Sequence, residues 1–461
     1  MNAAPPEKNV RFPLSRSLLY CSGQFGGNLL NNIYIFWLVY FYAKGYRGHE
    51  PLMPIFWFGT IQIAGRVVDA IADPIVGYWS DRTKTRIGRR RPFLLFGAPA
   101  LVLSFYFLWT PPFPPGSPLL FVYLPVVMGV FWFSFTVVMV PYLALFPEQV
   151  ERSDHRVQLS TMMSMFLMLS YFTQAVAAPD IIQRRGFPAM ALVFAAAGLV
   201  FLYATTFTVR ERAASARTAE SYSIAEALGW TFSNPAFLRY VAAALLLQFG
   251  FYALSASMPF IVTEIFAKPE SFTKFLMMIM GAGIIVSYVV INILSRSVEK
   301  KKLYLASVLG LGCVMPFMLF LGRTQLPVST VTAGMVFMLV LSLPVAGTQI
   351  LPFAILADII DYDEKVTGKR REAIYFSAQG FLQKLATALS GFMQGAVFGA
   401  FGHARTNPLG INLLGPIAGA IALVGFVIFL GYPIDEKTKD LRKTGSRFPV
   451  KDGGEREKKI H

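Results

Sequence analysis

Long apolar runs separated by short polar breaks fill almost the whole chain, and most of the breaks are basic. Runs of about 20 residues are what an α-helix needs to cross ~30 Å of hydrocarbon. The pattern predicts twelve such helices, at approximately 17–43, 52–78, 93–111, 118–145, 158–180, 187–208, 236–262, 273–295, 303–322, 328–356, 374–402 and 409–432. The short alternating segments of a membrane β-barrel are not seen. Composition agrees: of 461 residues, 55% are hydrophobic and only 15% charged, against ~25% charged in soluble domains. Mean hydropathy is +0.52. An all-α, multi-pass integral membrane protein is expected.

With an even number of spans, both termini share one side. Of the 42 Lys and Arg, 31 fall in the loops and tails on that side and 8 in the opposite loops. The positive-inside rule then places both termini in the cytoplasm, and the chain in the cell membrane. The net charge of +16 is accounted for by loops facing anionic lipid, so no nucleic-acid partner is implied. The first apolar run is too long for a signal-peptide core and is expected to stay as an anchor. Cys21 and Cys313 are isolated, and His49, His155, His403 and His461 show no metal-ligand spacing.

VPYLALFPE (Val140 to Glu148) in the fourth span is echoed by LPFAILADI (Leu351 to Ile359) in the tenth, at an offset of 211. The chain therefore reads as two six-helix halves, 1–208 and 236–432, joined by a cytoplasmic linker at 209–235 and followed by a charged cytoplasmic tail at 433–461. In the linker, SIAEALGWTFSNP reads as a short amphipathic helix stopped by Asn234 and Pro235. Internal repeats of this kind put a substrate site near the bilayer midplane, between the halves.

The second span carries Arg66, Asp69 and Asp73 at i, i+3 and i+7, on one helical stripe. Charged side chains in the bilayer cost roughly 2.5 to 3.5 kcal/mol each by insertion scales and mark ion or solute pathways. Pro74 cannot donate to the carbonyl of Ala70, which predicts a bend there. Two carboxylates one turn apart suit a hard cation or a shared proton, and a static ion pair with Arg66 is the other reading. On the fourth span Thr136 offers a hydroxyl oxygen to the same cation, with Met139 one turn on. Gln24, Asn28 and Asn31 form an amide stripe on the first span, either facing solute or bonding between helices. Lys384 lies mid-span in the eleventh, on one face with Ser377, Gly380, Thr387 and Gly391. It needs a carboxylate, a carbonyl or water, so solute binding and charge exchange with Asp69 and Asp73 are both open.

The loop GYWSDRTKTRIGRRRP (Gly77 to Pro92) resembles the cytoplasmic loop motif of the major facilitator superfamily. More narrowly, DAIADPIVGYWSDRTKTRIGRRRP and ADIIDYDEKVTGKRREAIYFSAQGFLQK resemble the glycoside-pentoside-hexuronide:cation symporters. That resemblance implies a twelve-helix major facilitator fold, two six-helix halves around a central cavity. It implies a sodium site at Asp69, Asp73 and Thr136, with Arg66 and Lys384 as charged cavity residues. It also implies a cytoplasmic gate built from Asp81, Arg82, Arg89 and Arg90, with Asp358 and Asp361 in the matching gate of the second half. Asn28 and Met139 stand where sugar-binding aspartates are found in the melibiose permease group, and Met162, Met163, Met165 and Met168 soften the fifth span. The chain also resembles the sodium-dependent lysophospholipid transporter around VPYLAL and Lys384.

The expected function is secondary active symport of a glycoside or other small organic solute with sodium or protons. Transport of an amphiphile such as a lysophospholipid, or proton-coupled export, is the alternative. The partners are the solute, a monovalent cation and membrane lipid, in a monomer, and no cofactor is implied beyond co-transported Na+ or H+. With no GxxxxGK and no recognisable nucleophile motif, the chain is not expected to be an enzyme.

Overall fold

The computed structural model describes residues 14–45, 50–149, 153–209, 211, 229, 231–322, 328–367 and 372–434. Twelve long helices follow in order: α1 (Leu14–Lys44), α2 (Ile55–Arg82), α3 (Arg91–Leu108), α4 (Leu120–Ala144), α5 (Ser153–Arg185), α6 (Phe187–Thr208), α7 (Pro235–Phe260), α8 (Thr273–Leu294), α9 (Lys300–Val314), α10 (Thr330–Thr367), α11 (Glu372–Phe401) and α12 (Leu409–Leu430). Ten helical segments among the described residues are long and apolar enough to cross a membrane. The remaining two, α1 and α11, have the length, with 31 and 30 residues, but carry polar residues in mid-helix, including Asn28 and Lys384. Helix α1 packs on α7, and α11 on α2.

Most of the expected linker and nearly all of the tail lie outside the described residues, as does most of the amphipathic segment. Where the linker ends, helical residues 231–233 stop at Asn234, as expected, and the same two residues then start α7. The Asn234 side-chain oxygen accepts from the backbone N–H of Ala236 at 2.9 Å and Phe237 at 3.2 Å, and Pro235 takes the first helical turn, where its missing N–H costs nothing. Pro74 lies inside α2 without ending it. The ninth span tightens from α-helix into a 3-10 turn at Met315–Phe320, and α10 runs on past the apolar stretch to Thr367.

Within the first half α1 packs on α5 and α6, and α4 on α2 and α3; within the second, α7 packs on α11 and α12, and α10 on α8 and α9. One brace occurs in both halves. Tyr20 of α1 donates to the Tyr142 carbonyl of α4 at 2.8 Å, and Tyr240 of α7 donates to the Pro352 carbonyl of α10 at 3.1 Å. These carbonyls sit in the two repeated proline segments.

Three helix pairs cross the seam: α1 with α7, α5 with α8, and α2 with α11. We call the end where α1 begins and α2 ends the terminal end, and the opposite one the far end. At the far end Lys44 pairs with Glu264, Tyr40 donates to Glu270 at 2.9 Å, and Lys274 meets Asp180 at 2.8 Å. Phe260 packs edge-on to Tyr40 with ring centres 5.1 Å apart. Here α2 and α11 touch backbone to backbone. A β-carbon on Gly59 would lie 2.9 Å from the Gly391 carbonyl oxygen, and one on Gly395 would lie 2.8 Å from that of Ile55. The halves are thus drawn together at the far end.

Gly395→Val has no room at this crossing and is expected to cost about 1 to 3 kcal/mol, as overpacking does. Thermal unfolding of the detergent-solubilised protein checks this: the midpoint should fall, while Gly77→Ala, whose nearest neighbour is 3.9 Å away, should leave it unchanged.

Candidate cation and solute site

Helix α2 presents Arg66, Asp69 and Asp73 toward α4 and α11, and the three helices converge on one neutral charge cluster. The Lys384 ammonium of α11 donates to Asp69 Oδ1 at 2.9 Å and to Asp73 Oδ2 at 2.6 Å. Thr136 of α4 has a single hydroxyl proton and lies 2.9 Å from Asp69 Oδ1 and 3.2 Å from Asp73 Oδ1, bridging the acids from the other side. Arg66 reaches Asp69 Oδ2 at 3.4 Å and lays its guanidinium 3.6 Å from the Trp132 ring centre. Two cations and two anions cancel, which lets charges persist in an interior where an unpaired one would cost several kcal/mol.

The cluster is graded in exposure. The Asp69 side chain is 1% exposed and that of Asp73 37%, so the first acid is enclosed by protein and the second is not. Around Arg66 the site is aromatic. Trp132 packs edge-on to Tyr34 at 5.0 Å, and Tyr34 donates to Gln62 Oε1 at 3.2 Å. The stacked indole replaces part of the water that Arg66 gives up.

Asp69, Asp73, Thr136, Arg66 and Lys384, expected to act together, are brought together. Of the amide stripe on α1, the Asn28 amide turns back to the Gln24 carbonyl at 2.9 Å, while Gln24 Oε1 and Asn31 Oδ1 are buried with no partner. Met139 is buried against Gly27 of α1, beside the cluster.

At the terminal end the loop motif braces one half. Arg90 pairs with Asp81 at 2.6 Å and Glu148 at 2.7 Å, and Arg89 with Glu148 at 3.2 Å, all within the first half. Arg82 stacks on Tyr78 of its own helix, its guanidinium 4.0 Å from the ring centre. In the second half Lys300 pairs with Asp358 at 3.0 Å, and Asp361 is exposed with no ion pair described. Arg90 with Glu148 and Lys300 with Asp358 repeat at nearly the offset of the proline segments.

Sequence reasoning missed Glu211. Its carboxylate accepts from the backbone N–H groups of Arg89, Arg90 and Arg91 at 2.6, 2.9 and 2.7 Å, capping the start of α3. Gly88, at φ +120°, leaves the space that this carboxylate fills. An acid at the head of the linker, separated from the loop by more than a hundred residues, carries no local signal of that contact.

Residues 19–436 match the profile of the MFS/sugar transport protein family. The chain belongs to that family. It is 26% identical to the glucuronide carrier protein homolog of Escherichia coli, over 83% of this chain and 86% of that protein. It is 24% identical to the isoprimeverose transporter of Lactiplantibacillus pentosus, covering 92% and 89% of the two. The sodium-dependent lysophosphatidylcholine symporter 1 of Xenopus tropicalis is also 24% identical, over 85% and 82%. Among solved structures, a D-xylose-proton symporter superposes with a TM-score of 0.68 at 13% identity, covering 92% of this chain and 99% of that one. The fold is that of the major facilitator transporters, and the relatives are membrane carriers.

Asp69→Ala would strand the buried Arg66 guanidinium without its carboxylate. Breaking a buried pair costs about 3 to 5 kcal/mol, whereas Asp73→Ala, at a partly exposed acid, should cost much less. Thermal unfolding midpoints of the two variants should differ in that order.

Proposed function

We propose that the protein is a symporter in which a sodium ion or proton competes with Lys384 for Asp69 and Asp73, and in which the exchange drives uptake of a sugar or glycoside. The observation that carries this reading is the position of the ammonium between the two acids, where it stands as an internal cation. A hard cation takes oxygen ligands, and Asp69, Asp73 and Thr136 offer them. Two carboxylates and one hydroxyl make a small, all-oxygen donor set.

The coupling is electrostatic. A second positive charge within about 4 Å of the ammonium is repelled strongly at the low dielectric of the interior. Entry of the ion therefore expels Lys384, which breaks the ionic link between α2 and α11 and leaves their glycine contact. The freed lysine and the reoriented acids then differ between loaded and empty states, the differential interaction a population shift requires. Co-binding of ion and solute is a reciprocal coupling, typically ~1 to 3 kcal/mol. The basic loops support cytoplasmic termini in the cell membrane, which makes the far end extracellular and the described state closed to the outside. The sugar reading rests on the family description and on the two carbohydrate relatives. An amphiphilic solute is the second reading, favoured by the lysophosphatidylcholine relative and by the methionines of α5.

In proteoliposomes, Asp69→Asn and Asp73→Asn should each abolish solute accumulation driven by a sodium or proton gradient, with insertion unaffected. Gradient-driven accumulation unchanged in both variants overturns the proposal. Sodium chloride, set against choline chloride, should raise the unfolding midpoint if sodium is the coupling ion, because ligation stabilises by mass action. Lys384→Met should enlarge that rise by removing the competing ammonium.

A further inference from the structure

Arg239 of α7 lies inside the seventh apolar run, and unlike Arg66 and Lys384 it has no carboxylate partner among the described residues. Its exposed guanidinium donates instead to the Gly431 carbonyl at the end of α12, and a β-carbon on Gly431 would lie 3.3 Å from its Nε. Lys301 of α9 donates to the carbonyl of the next residue, Tyr432, at 2.5 Å, and it too has no acid partner among the described residues. Helices α7 and α9 both pack on α12. Consecutive α-carbons stand about 3.8 Å apart, so two unneutralised cations from different helices converge on one spot. The acids of this corner already hold other lysines: Asp358 holds Lys300 at 3.0 Å, and Glu299 holds Lys302 at 3.2 Å.

Two carbonyls do not use up these cations. A guanidinium has five N–H donors and an ammonium three, so most remain open after one bond each. Lys301 stands in the first turn of α9, and Arg239, one turn into α7, leans back toward the start of its helix. Helix N-termini add positive potential there, and the end of α12 returns only about half a negative charge. Beside this corner α12 turns an apolar stripe outward, with Leu423, Val427 and Leu430 exposed at i, i+4 and i+7 and leading up to Gly431. Leu238, next to Arg239, is exposed as well.

We propose that Arg239 and Lys301 form a site for the phosphate of an anionic phospholipid in the leaflet at the terminal end, with an acyl chain along the Leu423, Val427 and Leu430 stripe of α12. The site is separate from the ion cluster and independent of the symport reading. A lipid suits it better than free phosphate because the apolar stripe continues directly from the charged corner. An anionic headgroup suits it better than a zwitterionic one because Glu299 and Asp358, which could meet a choline or ethanolamine, are paired with lysines.

The test is native mass spectrometry and thermal unfolding of the full-length protein in detergent, titrated with phosphatidylglycerol, phosphatidylcholine or inorganic phosphate. Phosphatidylglycerol should be retained at one copy more than phosphatidylcholine and should raise the unfolding midpoint, because ligation stabilises by mass action. Arg239→Gln and Lys301→Gln should each weaken its apparent affinity about fivefold, the worth of one basic residue at a membrane surface. Arg239→Lys, which keeps the charge, should stay within twofold, and so should Lys302→Gln, which removes a lysine already paired with Glu299. If Arg239→Gln does not fold, Lys301→Gln carries the test. Affinity unchanged within twofold in either folded glutamine variant of the pair overturns the site, and equal weakening by Lys302→Gln overturns it by showing a diffuse basic surface. Phosphatidylcholine bound as tightly as phosphatidylglycerol, or inorganic phosphate giving the same rise, overturns the anionic lipid as its occupant.

Discussion

The structure turns on one ammonium held between two carboxylates. Lys384 belongs to one half of the molecule and Asp69 and Asp73 to the other, so this ion cluster is also a contact across the seam. Its geometry makes the cluster neutral, and neutrality is what lets charges sit in apolar surroundings. In the proposed symport an ion entering the cluster displaces the ammonium, and one side chain would thereby couple occupancy to shape.

The rest of the fold confines change to the seam. Each half has its own tyrosine brace onto a proline-bearing helix and its own ion pair at the terminal end. The first half adds the Glu211 carboxylate over three backbone N–H groups. Exposed ion pairs contribute little singly, but contacts repeated in both halves fix each helix group to itself.

Much of this was legible in the residues. Apolar runs located the helices, because length and hydropathy decide what crosses a bilayer, and the charges of α2 and α11 stood out because charge is rare there. Helix periodicity put Arg66, Asp69 and Asp73 on one stripe. What stayed hidden depended on contacts between distant segments. Nothing local distinguishes an acid that caps α3 from one on a surface linker, or a glycine needed for a backbone crossing from one that is not. Asn234 and Pro235 end one short helical stretch and begin the next helix, and only the first of these roles was read from the residues. The loop motif reads as a cytoplasmic gate, but the ion partners of Arg89 and Arg90, Asp81 and Glu148, are determined by tertiary packing that no local pattern displays.

The glycine crossing of α2 and α11 has a mechanical consequence. Gly59 precedes Asp69 by ten residues and Gly395 follows Lys384 by eleven, so contact point and ion cluster stand about 15 Å apart along both helices. With backbones in contact at one end, the pair behaves as shears. A swing of about 10° at the fulcrum moves the blades about 2.6 Å, which is enough to part a hydrogen bond of ordinary length. A tilt of that size about the glycine contact is the geometric requirement for parting Lys384 from the two acids.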